Sequence, residues 1–316
     1  MPFGHVCRHA RIDKAFVSSL LNDASFNWLP QRCGSQFFSD RVENMIDPKL
    51  FDSLYVKGMD VDIHLATKGD PAGIPLLLLP GITSYSLSFA NLLSLVPDQY
   101  YALSMDMRGR GKSTRVPAGY RLEHYVADVL NVLNALVENP VRPFLVGHSM
   151  GARVAAAFAG RHSSLVSGIV LIDPPVNGPG QRPVYPNSLS MFLEQKAAVD
   201  QDEYARFRGF FPNFSEEQVE ERFREYRNVS LEAIIESYQS LLREPFQIHF
   251  RPITCPTLLL AAELGDTIRE QELKVLQSLN PAMKTIRVRN VGHMVYKEAP
   301  AETASNIIEF VQAHTS

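Results

Sequence analysis

Three residue types, met in order along the chain, could together split an acyl bond. They are a serine in a tight glycine turn, a late histidine and a carboxylate between them. Gly147-His148-Ser149-Met150-Gly151 fits G-x-S-x-G. The apolar run Phe144–Val146 precedes it and the alanine-rich stretch Ala152–Ala159 follows. Such a strand-to-helix turn is too tight for side chains two positions either side of the serine, so glycines stand there and the hydroxyl is lifted clear of the sheet. A serine hydroxyl is a weak nucleophile at neutral pH and needs a base. His293, in Asn290-Val291-Gly292-His293, follows the apolar run Thr285–Val288 and precedes the last helical segment, where that base belongs. His148 lies inside the turn and reads as a packed or hydrogen-bonded histidine.

The tetrahedral intermediate of acyl transfer needs two backbone N–H donors. One is expected from Met150, the residue after the nucleophile, at a helix N-terminus whose dipole favours negative charge. The other is expected from Ile82, in Pro80-Gly81-Ile82-Thr83-Ser84 after the apolar run Ile74–Leu79. Two carboxylates suit the orienting acid. Asp173 ends Gly168–Ile172 and Asp266 follows Thr257–Ala261, both in the chain order Ser…Asp…His. Pro174-Pro175 stiffens the segment after Asp173. Asp266 or Thr267 has another use as a helix cap, with Glu270 completing a Thr-x-x-Glu box. Spacing alone does not choose between the two acids. Asp106-Met107-Arg108-Gly109-Arg110-Gly111-Lys112-Ser113 lacks the P-loop spacing and reads as a structural turn tied by Asp106 and Arg108.

The elements that must position these groups are legible as alternation. Phe51–Val56 and Asp60–Ala66 read as an antiparallel hairpin turned at Lys57–Gly58 and lying at one sheet edge. Ile74–Leu79, Tyr101–Met107, Phe144–Val146, Gly168–Ile172, Thr257–Ala261 and Thr285–Val288 are short apolar runs, as in parallel strands buried on both faces. Helical segments fall between them at Ser86–Leu95, His124–Val137, Met150–Arg161, Glu270–Leu279 and Pro300–Ala313. The pattern is that of an α/β fold with a mostly parallel central sheet flanked by helices. It breaks between about Pro174 and Arg251. There Leu231, Ile234, Ile235, Tyr238, Leu241 and Leu242 share a helix face. Val219, Phe223 and Tyr226 share another, with Ser215 as its N-cap. A short helix is expected near Asp13–Leu21.

The 316 residues, 45% hydrophobic and 21% charged, give enough chain for a sizeable core. A net charge of −3 offers no global basic field for nucleic acid or an anionic membrane. No apolar run approaches the ~20 residues of a membrane helix. Cys7, Cys33 and Cys255 form no metal or redox pair. No metal cluster or dinucleotide fingerprint is present, so no cofactor is expected. Without a secretory apolar stretch, the expected compartment is the cytosol.

Assembled in this way, the chain resembles the α/β-hydrolase superfamily over about residues 51–314. Leu79-Pro80-Gly81-Ile82-Thr83-Ser84, Met107-Arg108-Gly109-Arg110-Gly111, Gly147–Arg153 and Asp173-Pro174-Pro175-Val176-Asn177-Gly178-Pro179-Gly180 are similar to the N-formylmaleamate deformylase group of amide-hydrolysing enzymes. That resemblance implies Asp173 as the triad acid. It also implies a core of residues 51–175 and 251–316, a helical cap at 176–250 and an N-terminal extension at 1–50. The expected activity is hydrolysis of an amide or ester of a small molecule by a serine nucleophile. A lactonase or esterase with a larger apolar substrate is the rival, suggested by Phe207, Phe210, Phe211 and Phe214. A non-catalytic ligand receptor on the same fold is a second rival. Dehalogenase and epoxide hydrolase chemistry is disfavoured, since those enzymes carry aspartate at the elbow. Arg182 and Tyr185 are candidates to meet a substrate carboxylate.

Overall fold

The structure is a computed structural model that describes residues 50–136, 141–179, 181 and 188–315. The expected helix near Asp13–Leu21 and the candidates Arg182 and Tyr185 lie outside the described residues.

Eight strands form one sheet: β1 (Asp52–Val56), β2 (Ile63–Gly69), β3 (Ile74–Leu79), β4 (Tyr100–Met105), β5 (Phe144–His148), β6 (Gly168–Ile172), β7 (Thr257–Ala262) and β8 (Lys284–Val288). Their spatial order is β1-β2-β4-β3-β5-β6-β7-β8. The expected hairpin β1–β2 forms one edge, antiparallel within itself and to β4, and the remaining pairs are parallel. Alternate residues of the central strands feed two different cores. Leu77, Leu79, Leu145, Ile169, Leu171 and Leu259 face one side. Leu76, Leu78, Phe144, Val146, Val170, Ile172, Leu258 and Leu260 face the other. This two-sided burial is why the strands read as continuous apolar runs.

The first flanking segment is not the single helix expected at Ser86–Leu95. A 3₁₀ turn at Ser86–Phe89 leads into α1 (Ala90–Ser94). Next come α2 (Leu122–Ala135) and α3 (Met150–His162). In α3, Ala152, Ala155, Ala156, Ala157 and Ala159 are all fully buried. Their small side chains let the helix lie close under the sheet.

Between β6 and β7 lie α4 (Leu189–Asp200), α5 (Tyr204–Gly209), α6 (Glu216–Arg227), α7 (Leu231–Arg243) and α8 (Phe246–Phe250). Ser215 caps α6 by accepting from the Gln218 N–H, and Ser230 caps α7 by accepting from Ala233. The chain closes with α9 (Glu270–Leu279), α10 (Val295–Glu298) and α11 (Pro300–Ala313), with Pro300 in the first turn of α11. The N-terminus of α9 differs from expectation. Arg269 is the cap residue, and its backbone N–H donates to Glu272 at 2.8 Å. Thr267 and Glu270 do not form a box, and the Thr267 side chain has another use.

Candidate active site

Ser149 sits at the turn from β5 into α3 and is the N-cap of that helix, with φ 53° and ψ −115°. A non-glycine residue in this region carries strain, commonly about 1–3 kcal/mol. The flanking glycines are required by contact. A Cβ at Gly147 would fall 2.4 Å from the Gly151 carbonyl oxygen, and one at Gly151 would fall 1.9 Å from that of Leu79. The Ser149 N–H donates to the Ile172 carbonyl at 2.9 Å, tying the turn to β6.

His293 Nε2 lies 3.0 Å from Ser149 Oγ, and its Nδ1 lies 2.7 Å from Asp173 Oδ2. A nitrogen facing a carboxylate carries the proton. Nδ1–H therefore donates to Asp173, and bare Nε2 accepts from the Ser149 hydroxyl. Asp173 is fully buried and, like Ser149, has positive φ (46°). Its other oxygen accepts from the Ala262 N–H at 3.1 Å. Asp266, the other candidate acid, is exposed, and its charge acts on Arg269.

The loop Pro80–Ser84 runs over the elbow. A Cβ at Gly81 would lie 3.6 Å from Ser149 Cβ, and the Ser84 N–H closes the turn onto the Gly81 carbonyl at 3.2 Å. Ile82, next to Gly81, and Met150, next to Ser149, are both buried. Met150 opens α3, where a backbone N–H has no intrahelical acceptor.

His148 is buried and neutral. Burial first, then the neighbouring His293 ring and the positive charges of Lys297 and Arg222, hold its pKa well below the usual histidine value. Its Nε2 donates to the His293 carbonyl at 2.9 Å, and its ring packs on those of His293 and Tyr296.

Sequence reasoning did not find two residues at this site. The Thr267 hydroxyl lies 3.1 Å from His293 Nδ1, a proximity that only the folded loop after β7 creates. Arg153, fully buried on α3, donates to the Pro175 carbonyl at 3.1 Å, to Asn177 Oδ1 at 2.8 Å and to the Glu244 carbonyl. It clamps the segment after Asp173 to the end of α7. A charge in an alanine-rich helix was the available signal.

A buried charge network joins α6 to the same loops. Glu225 takes Arg222 and Lys297 as partners, Lys297 also meets Glu221 at 2.8 Å, and Arg222 donates to Thr83 Oγ1 at 2.9 Å. Burial alone would raise the Glu225 pKa, but Lys297 and Arg222 outweigh it and keep the carboxylate charged.

A second Ser–His–Asp line has matching distances and a different setting. His64 lies 3.0 Å from Ser53 and 2.7 Å from Asp106, beside a cavity of about 250 Å³. Ser53 is on the exposed edge strand β1, without a strained turn or a helix N-terminus behind it. Asp106 also accepts the Ser86 and Lys112 N–H groups, and Arg108 pairs with Asp128, as a structural turn requires.

Residues 76–306 match the alpha/beta hydrolase family. The chain belongs to that family. It is 29% identical over 226 residues to N-formylmaleamate deformylase of Pseudomonas putida, covering 71% of this chain and 83% of that protein. It is 25% identical over 265 residues to 2-(acetamidomethylene)succinate hydrolase of Mesorhizobium japonicum, covering 80% and 92%. The crystal structure of the N-formylmaleamic acid deformylase from Pseudomonas putida S16 superposes with a TM-score of 0.73 at 26% identity, over 80% of this chain and all of that one. This hydrolase thus has amide-hydrolysing relatives. Among its described residues no helix is long and apolar enough to cross a membrane.

Proposed function

We propose that this hydrolase cleaves an amide or ester bond of a small molecule through an acyl-enzyme on Ser149. The observation that carries the reading is the line Ser149–His293–Asp173, at 3.0 and 2.7 Å, with the serine at a strained helix N-terminus. His293 Nε2 takes the serine proton as Oγ attacks the carbonyl carbon. Asp173 orients the ring and stabilises its charged form. The N–H groups of Ile82 and Met150 hold the oxyanion. Collapse expels the amine or alcohol, which leaves with the proton from His293. Water, deprotonated by His293, then releases the acid and restores Ser149.

The relatives favour a small acidic amide as substrate, since the N-formylmaleamate deformylase and the 2-(acetamidomethylene)succinate hydrolase are named for such compounds. The case for a larger apolar substrate weakens with the placement of the cap phenylalanines. Phe207 is fully buried and packs on Phe211, Phe223 and Tyr226, and Phe211 packs on Phe214. These rings consolidate the helical insertion, which we read as a cap over Ser149 spanning about residues 176–250. A cytosolic site of action fits the free Cys255 thiol, whose pKa burial pushes up to about 11. The reading is tested by a hydrolysis screen across small amides, esters and lactones with Ser149→Ala as control. Turnover of a small acidic amide, lost in Ser149→Ala, is the expected result. Equal turnover by Ser149→Ala contradicts it.

A further inference from the structure

We propose that Arg110 is a positioning residue for the oxyanion hole, gripping Ile82 and Met150 together and tying both to the helix Leu231–Arg243. The inference rests on the function proposed above and deepens it.

Arg110 is completely buried. A buried cation is expensive unless it is paired. Two other largely buried arginines pair with acids, Arg108 with Asp128 and Asp60, and Arg222 with Glu225, whereas Arg153 donates to carbonyl and amide oxygens. Arg110 likewise donates to neutral groups. Nε donates to the Ile82 carbonyl at 3.0 Å. Nη1 donates to the Arg108 carbonyl at 2.9 Å and the Tyr125 hydroxyl at 2.8 Å. Nη2 donates to Ser237 Oγ at 3.2 Å and reaches Met150 Sδ at 3.8 Å. A guanidinium has five N–H groups, so this set uses them all. Tyr125 and Ser237 are also 2.7 Å apart, closing a polar triangle inside an apolar core.

Two of these five contacts fall on the two residues proposed to supply the oxyanion donors. The bond to the Ile82 carbonyl fixes the peptide after Ile82. The turn from Gly81 to Ser84 fixes the chain on either side of it. Together they set where the Ile82 N–H points. The sulfur contact holds the first residue of α3. A cation with no carboxylate among these partners also favours the negative charge that develops in the transition state. The grip includes the insertion. Arg110 makes a backbone bridge to Val229, the Gly111 N–H donates to the Asn228 carbonyl at 2.8 Å, and the Ser230 N–H donates to the Gly109 carbonyl at 2.9 Å. The loop thus joins the cap helix to the hole, and Arg110 gives part of the 106–113 turn a function.

The test compares wild type, Arg110→Met, Arg110→Lys and Ser149→Ala with 4-nitrophenyl acetate as substrate and phenylboronic acid as a tetrahedral-adduct inhibitor. Circular dichroism and urea titration establish that each variant is folded. Removing a donor from an oxyanion hole costs about 10²–10³ in kcat, so loosening two of them from behind is expected to cost about 10- to 100-fold. The loss falls in kcat, with KM within about threefold, and boronate affinity weakens by the same factor as kcat/KM. The pH midpoint of kcat/KM stays where it is, because His293 and Asp173 are untouched. If Arg110→Met does not fold, Arg110→Lys gives the answer. It keeps the buried charge and loses the fork, and the same split between kcat and KM is expected. A folded variant with wild-type kcat and boronate affinity overturns the proposal. So does one in which KM and the pH midpoint move as far as kcat, which marks a merely structural role. Wild-type turnover by Ser149→Ala overturns the function reading instead.

Discussion

At the residue scale, the direction of one proton organises the site. Asp173 holds it on His293 Nδ1, which leaves Nε2 bare toward Ser149. Asp173→Asn presents an amide in place of the carboxylate and favours the wrong tautomer, so kcat is expected to fall by about 10⁴-fold with the fold intact. Steady-state kinetics on any turned-over ester checks this, and a loss below about tenfold contradicts it. His148 supplies a pH prediction. Its folded pKa lies well below its unfolded value, so between the two the unfolded chain binds a proton that the folded chain refuses. That contribution is absent above about pH 6.5 and destabilises progressively as pH falls below it. His148→Gln removes the titration, and its urea midpoint is expected to fall less than the wild-type midpoint between pH 7.5 and pH 5. Ser149 and His293 could be read from sequence because a local glycine pattern and chain order specify them. Asp173 and Asp266 could not be separated by spacing, since each follows a strand at the same sheet edge. In the folded chain Asp173, at positive φ, has one oxygen at the Ala262 N–H and the other 2.7 Å from His293 Nδ1, which supports it as the proposed acid.

At the element scale, strands declared themselves and some helices did not. β3, β5, β6 and β7 bury both faces, so each is a short apolar run bounded by turn residues. The helix Leu189–Asp200 has no clean stripe. Phe192, Leu193, Gln195, Lys196, Ala198 and Val199 are all buried, on several sides, so a periodic pattern never forms. α10 spans four residues, too few to show a period. The elbow tests its own geometry. Gly151→Ala drives a methyl into the Leu79 carbonyl, so strong destabilisation, on the order of 4 kcal/mol, is expected by urea titration. The network under α6 gives a second test. Glu225→Gln leaves the Arg222 cation without its buried acid, at a cost of about 3–5 kcal/mol. Adding Arg222→Met removes the stranded charge and is expected to restore part of that loss. A double variant no more stable than the single contradicts the electrostatic account.

At the scale of the molecule, the insertion and the sheet are one body. The described residues fall in one compact unit. Phe207, Val219, Phe223, Tyr226, Ile234 and Tyr238 of the insertion belong to the same core as Leu77 and Leu145 of the sheet. Polar ties run to the insertion from the α2 segment too: the Gly119 N–H donates to Glu236 at 2.8 Å, and the Leu122 N–H donates to Ser240 at 3.1 Å. The insertion and the sheet are therefore expected to unfold in one calorimetric transition, with equal van't Hoff and calorimetric enthalpies. An early transition confined to the insertion contradicts this. The place of the insertion was legible, because strand–helix alternation stops after Asp173. Its continuity with the core was not, because contacts between distant segments leave no trace in local periodicity.

The central claim is that Ser149 becomes acylated by way of His293. Intact-mass and peptide mapping after reaction with a fluorophosphonate tests it most directly. The account predicts one adduct per chain, on Ser149, absent in Ser149→Ala and far slower in His293→Ala. An adduct on another residue, Ser53 included, or undiminished labelling of Ser149→Ala, would contradict it.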